Sequence, residues 1–283
     1  MVGGETQGAQ QGGGLPEDDL GRGGVVAAVV GAVGGLVNGV VIAYGKVAAF
    51  IATLGFELMV KGSAIAVSGG QTLGPFVKPI QYLGGGFLPS SFRLFGYDGI
   101  CLIALVAFAV YSVYGEVRKR AKRRKYGFRV ASVPTTVLKL AAILFSVGFV
   151  LFSFSIHNGM PFMLVVLIAL ALVYGYISNN TAFGRYVYAV GANRNAARLS
   201  GVNDRKVILA VFINAALLSS FAGLVVAGRL NAATNNAGSG YELEAIAAVS
   251  IGGGSRAGIF GAFVGAAIMS IVNNGMNVLG LGA

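Results

Sequence analysis

Long apolar runs alternate with short polar stretches along this chain. Val25–Tyr44, Val47–Val67, Asp98–Tyr114, Val137–Phe154, Pro161–Ser178, Val207–Ala227 and Ile259–Val272 are each predicted to be a membrane-crossing helix. The length fits: about 20 residues rising 1.5 Å each match a hydrocarbon core of about 30 Å. Tyr241–Gly254 is too short to cross and is predicted to be a short or broken helix buried in protein, because unpaired backbone is not tolerated in lipid. The pattern defines an all-α, polytopic integral membrane helical bundle with about seven full spans and one short helix.

Small residues add a second periodicity. Gly31, Gly35 and Gly39 recur every four residues on one helix face, two overlapping GxxxG patterns that let a neighbouring helix approach closely. Gly261 and Gly265 repeat the spacing. The 45 glycines follow no G-X-Y period, so a collagen-like chain is excluded. With 55% hydrophobic and 11% charged residues and a mean hydropathy of +0.76, the composition is that of a membrane protein; a soluble domain carries about 25% charge.

Charge decides orientation and loop organisation. Residues 1–23 are rich in Gly and Gln and are read as a disordered polar tail. Residues 24–283 form a single transmembrane domain with an external loop at 68–97, a basic loop at 115–133 and a further polar loop at 179–206. Of the 21 Lys and Arg residues, 16 fall on one side if the spans alternate: Lys46, the eight between Arg118 and Arg129, Lys139, Arg185, Arg194, Arg198, Arg205, Lys206 and Arg256. Basic residues beside spans stay cytoplasmic. The N-terminus is therefore expected outside and the loops at 115–133 and 179–206 inside. Flanked by spans, the run EVRKRAKRRKYGFR serves topology and attraction to anionic membrane lipids. The net charge of +11 therefore does not point to nucleic acid.

The stretch FGRYVYAVGANRNAARLSGVN, Phe183–Asn203, sits between two spans and carries one nearby acid, Asp204, against Arg185, Arg194, Arg198, Arg205 and Lys206. Asn193–Leu199, with Ala196 and Ala197 as good helix formers, is expected to be a short helix along the membrane surface, stopped by Gly191 and Gly201. An ordinary solvated loop is the plainer reading.

Ionisable groups inside the spans are few. Glu57 lies about 16 Å along its helix from Lys46, near mid-membrane, where a charge must face protein or water. Lys61, four residues on, shares its face, so a structural ion pair is one reading and a place on a translocation path the other. Asn38, Glu242 and Glu244 are further candidates for that path. Single residues at Cys101 and His157 form neither a disulfide framework nor a His/Cys metal site, and no catalytic constellation or cofactor site emerges. Gly39–Lys46 is one residue too long for a phosphate loop and has Val47 where Ser or Thr would bind magnesium.

Several ordered blocks carry a family resemblance: FIATLG at 50–55, the stretch at 183–203, AGRLNAATNNAGSGYELEAIAAVSIGGGS at 227–255 and NNGMNVLG at 273–280. They resemble permease subunits of carbohydrate ABC importers of the ribose/galactose/xylose branch, over roughly residues 24–281. The insert ending KYGFRV is more similar to the xylose and multiple-monosaccharide permeases. The resemblance implies a subunit of the bacterial inner membrane that is not itself an enzyme. It would work with cytoplasmic ABC ATPase subunits, an external sugar-binding protein and a second permease subunit, as a homodimer. It also implies that Gly191, Asn193, Ala196, Ala197, Arg198, Leu199 and Gly201 form the ATPase-coupling element. Such permeases carry about two more spans before residue 24 and one after 280, so the Gly31–Gly39 seam is expected to lie bare to lipid. A secondary transporter or channel using Glu57 is the alternative class, and a membrane enzyme is a distant third.

Overall fold

The computed structural model describes residues 19–45, 47–88, 93–94, 97–99, isolated positions from 103 to 118, and residues 133–156 and 159–280. Lys46, Cys101, His157 and the basic run other than Arg118 lie outside the described residues, as do residues 1–18 of the tail. The chain divides into two compact units, Met1–Gly84 with Val166–Ala283, and Gly85–Val165.

In the larger unit, α1 (Asp19–Gly45) and α2 (Ala49–Ser68) are followed by a short helix, α3 (Lys78–Gly85). Helix α1 begins five residues earlier than the tail boundary anticipated. Helix α2 ends at Gly69, whose left-handed φ of 62° lets the Gly70 N–H reach back to the Ile65 carbonyl.

The smaller unit contains a two-residue antiparallel ladder, β1 (Arg93–Leu94) with β2 (Tyr97–Asp98), and α4 (Val133–Ile156). Helix α4 covers the predicted fourth span; the described positions from 99 to 114, in the predicted third, are helical, as are Glu116 and Arg118 in the loop expected beyond it, whereas Asp98 lies in β2. Phe87 pairs with Pro161 through the bonds Leu88 N–H to Met160 O at 2.9 Å and Phe162 N–H to Gly86 O at 3.0 Å.

Then follow α5 (Phe162–Asn180), α6 (Ala182–Ala192), α7 (Arg194–Leu199), α8 (Asp204–Leu230), α9 (Tyr241–Ile251) and α10 (Gly254–Val278). Among the described residues five helices are long and apolar enough to cross a membrane: Gly23–Gly45, Ala49–Ser68, Phe162–Asn180, Asp204–Leu230 and Ala257–Val278. Each coincides with a predicted span. Helix α10 runs through Asn273 and Asn274 rather than ending there, since amides near a membrane surface need not interrupt a helix whose backbone is already paired.

The glycine seam of α1 is filled by α8. A Cβ on Gly31 would stand 2.7 Å from the Ser220 Cβ, one on Gly35 2.7 Å from the Ile213 Cα, and one on Gly39 2.8 Å from the Leu209 Cδ1. Partner numbers fall as seam numbers rise, so the two helices are antiparallel. Ser220 also donates its hydroxyl to the Ala27 carbonyl across the seam. The expectation of a bare seam is therefore corrected: a helix of this same chain occupies it, and missing neighbours would not uncover it.

Helices α9 and α10 make a second close pair. A side chain on Gly252, Gly261 or Gly265 would collide with backbone of the opposing helix, so these glycines set the approach. Helix α9 is short, as expected, but of its residues only Ala248 is buried, with Leu243, Ile246 and Ile251 exposed. Among the described residues it is thus covered on one face rather than enclosed, with α10 packed closely against it.

Candidate functional site

The polar stretch between α5 and α8 folds as an elbow, and three side-chain caps build it. Thr181 Oγ1 accepts from Gly184 N–H at 3.2 Å, Asn193 Oδ1 from Ala196 N–H at 3.0 Å, and Asn203 Oδ1 from Lys206 N–H at 3.2 Å. Each satisfies a backbone donor that a helix start leaves orphaned. Three helices therefore restart within about two dozen residues, and α7 stands as a separate turn between α6 and α8.

Its far end is closed by a Schellman arrangement. The Val202 N–H reaches the Ala197 carbonyl and the Gly201 N–H the Arg198 carbonyl, both at 3.0 Å, with Gly201 at a φ of 83°. Gly201 thus does what was expected of it. Gly191 does not: it lies inside the last turn of α6, and the break is made by Asn193, extended at φ −156° and ψ 103°. The capping amide, not glycine freedom, ends one helix and starts the next.

Asp204 holds the elbow together. Its carboxylate accepts from Arg194 Nε at 2.5 Å and from Arg198 Nη2 at 2.8 Å, and its side chain is only 5% exposed. The hydrogen bond and charge of Asp204 raise the pKa of Arg198 above the ordinary arginine value. Two of the 16 cations counted on one side therefore share the one acid beside them, whose single charge offsets half of theirs. Arg205, one residue on, lies 5.1 Å from the centroid of the Tyr44 ring, which ties the elbow to the end of α1.

The seven residues expected to couple to a partner divide sharply. Ala197 is 5% exposed, so it packs within this chain and is not an outward contact. Its methyl lies on the covered side of α7, a tertiary fact that composition does not reveal. Leu199 is 91% exposed, an apolar group at the tip of the elbow with nothing of this chain over it. Asn193 and Ala196 are joined by the cap, and Arg198 is committed to Asp204. Thr181 and Asn203 as caps, the capping role of Asn193, and the pin at Asp204 were missed. A cap-type residue about every ten positions and a lone acid among five cations were the available signals.

At the opposite end of α8 two loops knit together. Leu73 pairs with Ala233, and Asn231, left-handed at φ 52°, accepts at Oδ1 from the Phe76 N–H and from Gln81 Nε2, each at 2.9 Å. Between α2 and the 233–239 turn lies an open cavity of about 590 Å³, lined by residues that include Phe56, Glu57, Lys61, Asn235 and Ser239. Lys61 does not pair with Glu57. Its Nζ donates to Ser239 Oγ at 2.8 Å and Asn236 Oδ1 at 3.0 Å, because the turn folds over the helix and offers nearer acceptors. Among the described residues Glu57 has no ion pair or hydrogen bond. Of the other path candidates, Asn38 is half-buried on α1, and Glu242 and Glu244 lie in the first turn of α9; none of the three lines this cavity.

A bundle of apolar helices interrupted by a pinned polar elbow, with tied loops at the other end, defines a multi-pass membrane transport component. The chain belongs to the family described as branched-chain amino acid transport system / permease component, which matches residues 22–281. It is 34% identical to the xylose transport system permease protein XylH of Haemophilus influenzae over 90% of this chain and 67% of that protein. It is 33% identical to the ribose import permease protein RbsC of Escherichia coli over 90% of this chain and 60% of that protein. A probable ABC transporter permease protein, YphD of E. coli, is 38% identical over 44% of this chain and 38% of its own length. The chain thus spans 60% to 67% of the length of the XylH and RbsC relatives, 64% for the XylH of E. coli. No solved structure matches it.

Proposed function

We propose that this chain is the membrane-spanning permease subunit of an ATP-binding-cassette importer that translocates a monosaccharide, a pentose such as xylose or ribose or a related hexose, across a bacterial inner membrane. Support comes from similarity running through nearly the whole chain to permeases named for xylose and ribose. The N-terminus is external, and the elbow at 179–206 is cytoplasmic. Cytoplasmic ATPase subunits grip the elbow and hydrolyse ATP, a binding protein docks outside, and a second permease subunit completes the path as a homodimer. The exposed Leu199 is the contact that α7 offers the ATPase, and the Asp204 clamp gives the contact a fixed shape. Gly191, Asn193, Ala196, Ala197, Arg198 and Gly201 build and hold that element, and Glu57 lies on the sugar's route. A carrier coupled to ions through Glu57 is not favoured, since the relatives are named as transport-system permeases.

Topology and transport test the reading together. Reporters fused after Lys125 or Arg198 are expected to be cytoplasmic, and one within 84–89 external. Cysteine at position 195 should resist labelling from outside intact cells. Vesicles holding the chain, extended at both ends to the length of its relatives, with ATPase and binding protein should accumulate labelled xylose or ribose only with ATP. Outside labelling at 195, or uptake that follows a proton gradient without ATP, would overturn it.

A further inference from the structure

We infer that the cavity between α2 and the 233–239 turn is a binding subsite for a neutral, polyhydroxylated ligand, which Glu57 and Lys61 hold through its hydroxyls. This rests on the permease reading and names a place where the chain itself touches sugar. Size comes first: about 590 Å³ falls within the range of small-molecule sites. Charge comes second. Glu57 and Lys61 lie four residues apart on one helix face, their Cβ atoms about 5–6 Å apart, so the rim carries one charge of each sign and recruits neither anion nor cation.

Donor arithmetic narrows the ligand further. An ammonium has three N–H donors; two on Lys61 are taken by Ser239 and Asn236. The one remaining suits a hydroxyl better than a carboxylate, which would have to strip Lys61 from the turn. Glu57, without a partner among the described residues, offers carboxylate oxygens as acceptors, and a hydroxyl is a neutral group that donates to it while accepting from Lys61. A sugar carries such hydroxyls on adjacent carbons, together with an apolar C–H face that the Phe56 ring on the same wall can cover. The turn is part of the site: Asn236 and Ser239 orient Lys61, so the ammonium is positioned before a ligand arrives.

Saturation-transfer NMR on the purified chain in lipid nanodiscs tests this with D-xylose, D-ribose, D-glucose and L-leucine as probes. A saturable sugar signal is expected from the unaltered chain and from Leu279→Ala, an exposed residue remote in sequence from the cavity residues. Affinity should fall about tenfold or more in Glu57→Ala, the loss of a hydrogen bond to a charged group, with a smaller loss in Asn235→Ala, which lines the turn side of the cavity and gives up only the bond it accepts from Ser68 Oγ at 3.1 Å. Monodisperse size-exclusion profiles check that each variant is folded. A sugar signal unchanged in both cavity variants, a stronger signal from leucine than from any sugar, or no sugar signal at all would each overturn the inference. The permease reading fails separately, as absence of ATP-dependent uptake in the vesicles, whatever the cavity binds.

Discussion

Arg198 and Asp204 meet across the turn between α7 and α8, Nη2 to Oδ2 at 2.8 Å, with the carboxylate almost wholly covered and the arginine half-exposed. A buried acid shared by two arginines is a clamp whose value lies in the shape it fixes. Removing the acid leaves two guanidinium groups with no counter-charge, whereas removing one arginine still leaves the other.

Asp204→Asn should therefore loosen the elbow without unfolding the spans. Asparagine keeps the size but neither the charge nor the second full acceptor. Trypsin added to the elbow side of membrane vesicles is expected to cut after Arg194 and Arg198 several-fold faster in this variant. Equal cleavage rates would mean that the ion pairs do not hold the turn.

A glycine in the seam between α1 and α8 and one on α2 outside it should respond to substitution with opposite signs. Gly35→Ala forces a methyl to within 2.7 Å of Ile213 backbone, so it should destabilise, as overpacking of about 1–3 kcal/mol outweighs the gain in helix propensity. Gly55→Ala, with nothing within 4 Å, should be neutral or stabilise by up to about 1 kcal/mol. Melting midpoints in detergent measure both, and a Gly35→Ala protein as stable as the parent would show that the helices can move apart at no cost.

Burial separates two positions that composition treats alike. Ala197→Asp puts an unpaired charge into the packed side of α7 and should lower folded yield as well as ATPase association. Leu199→Asp, at a position 91% exposed, should fold normally and lose association alone. Co-purification with the ATPase, normalised to folded chain, reads the difference. Normal yield from Ala197→Asp would contradict the inward placement of that residue.

Asn231 does two things that substitution can separate. Asn231→Gly keeps the left-handed cap but removes the side-chain acceptor, so hydrogen exchange at the Phe76 amide should speed up about fivefold, the equivalent of one net hydrogen bond of about 1 kcal/mol. Asn231→Ala loses both and should expose the end of α8 as well. Unchanged exchange at Phe76 in the glycine variant would leave the loop held by other contacts.

The spans were legible because hydropathy needs only local information, and the five long apolar helices begin and end within a few residues of the predicted runs. The glycine period announced a close-packed face but not its partner, since every span offers a surface and only the fold chooses α8. The same limit explains Glu57 and Lys61. A spacing of four correctly puts them on one face, yet Lys61 answers to Asn236 and Ser239, 175 and 178 residues away. At the elbow, Gly201 was readable as a helix terminator, whereas Gly191 was credited with a break that the Asn193 side chain makes. Ala197 shows what stays hidden longest: a methyl fits both a packed face and a docking surface, and its surroundings decide.

Helix α8 is a connecting rod. Its 27 residues, about 40 Å long, carry the Asp204 clamp at one end and Asn231, with the loop that Asn231 holds, at the other. Along its middle it is keyed into α1 at three successive glycines, a fit too close to permit sliding or flexing on its own. Any displacement of Asp204 that leaves that fit intact carries Asn231 and the Phe76 segment with it. Give in the assembly has to come from a joint elsewhere, and Gly258, where α10 departs from helical geometry at φ 65° and ψ −156°, is such a joint.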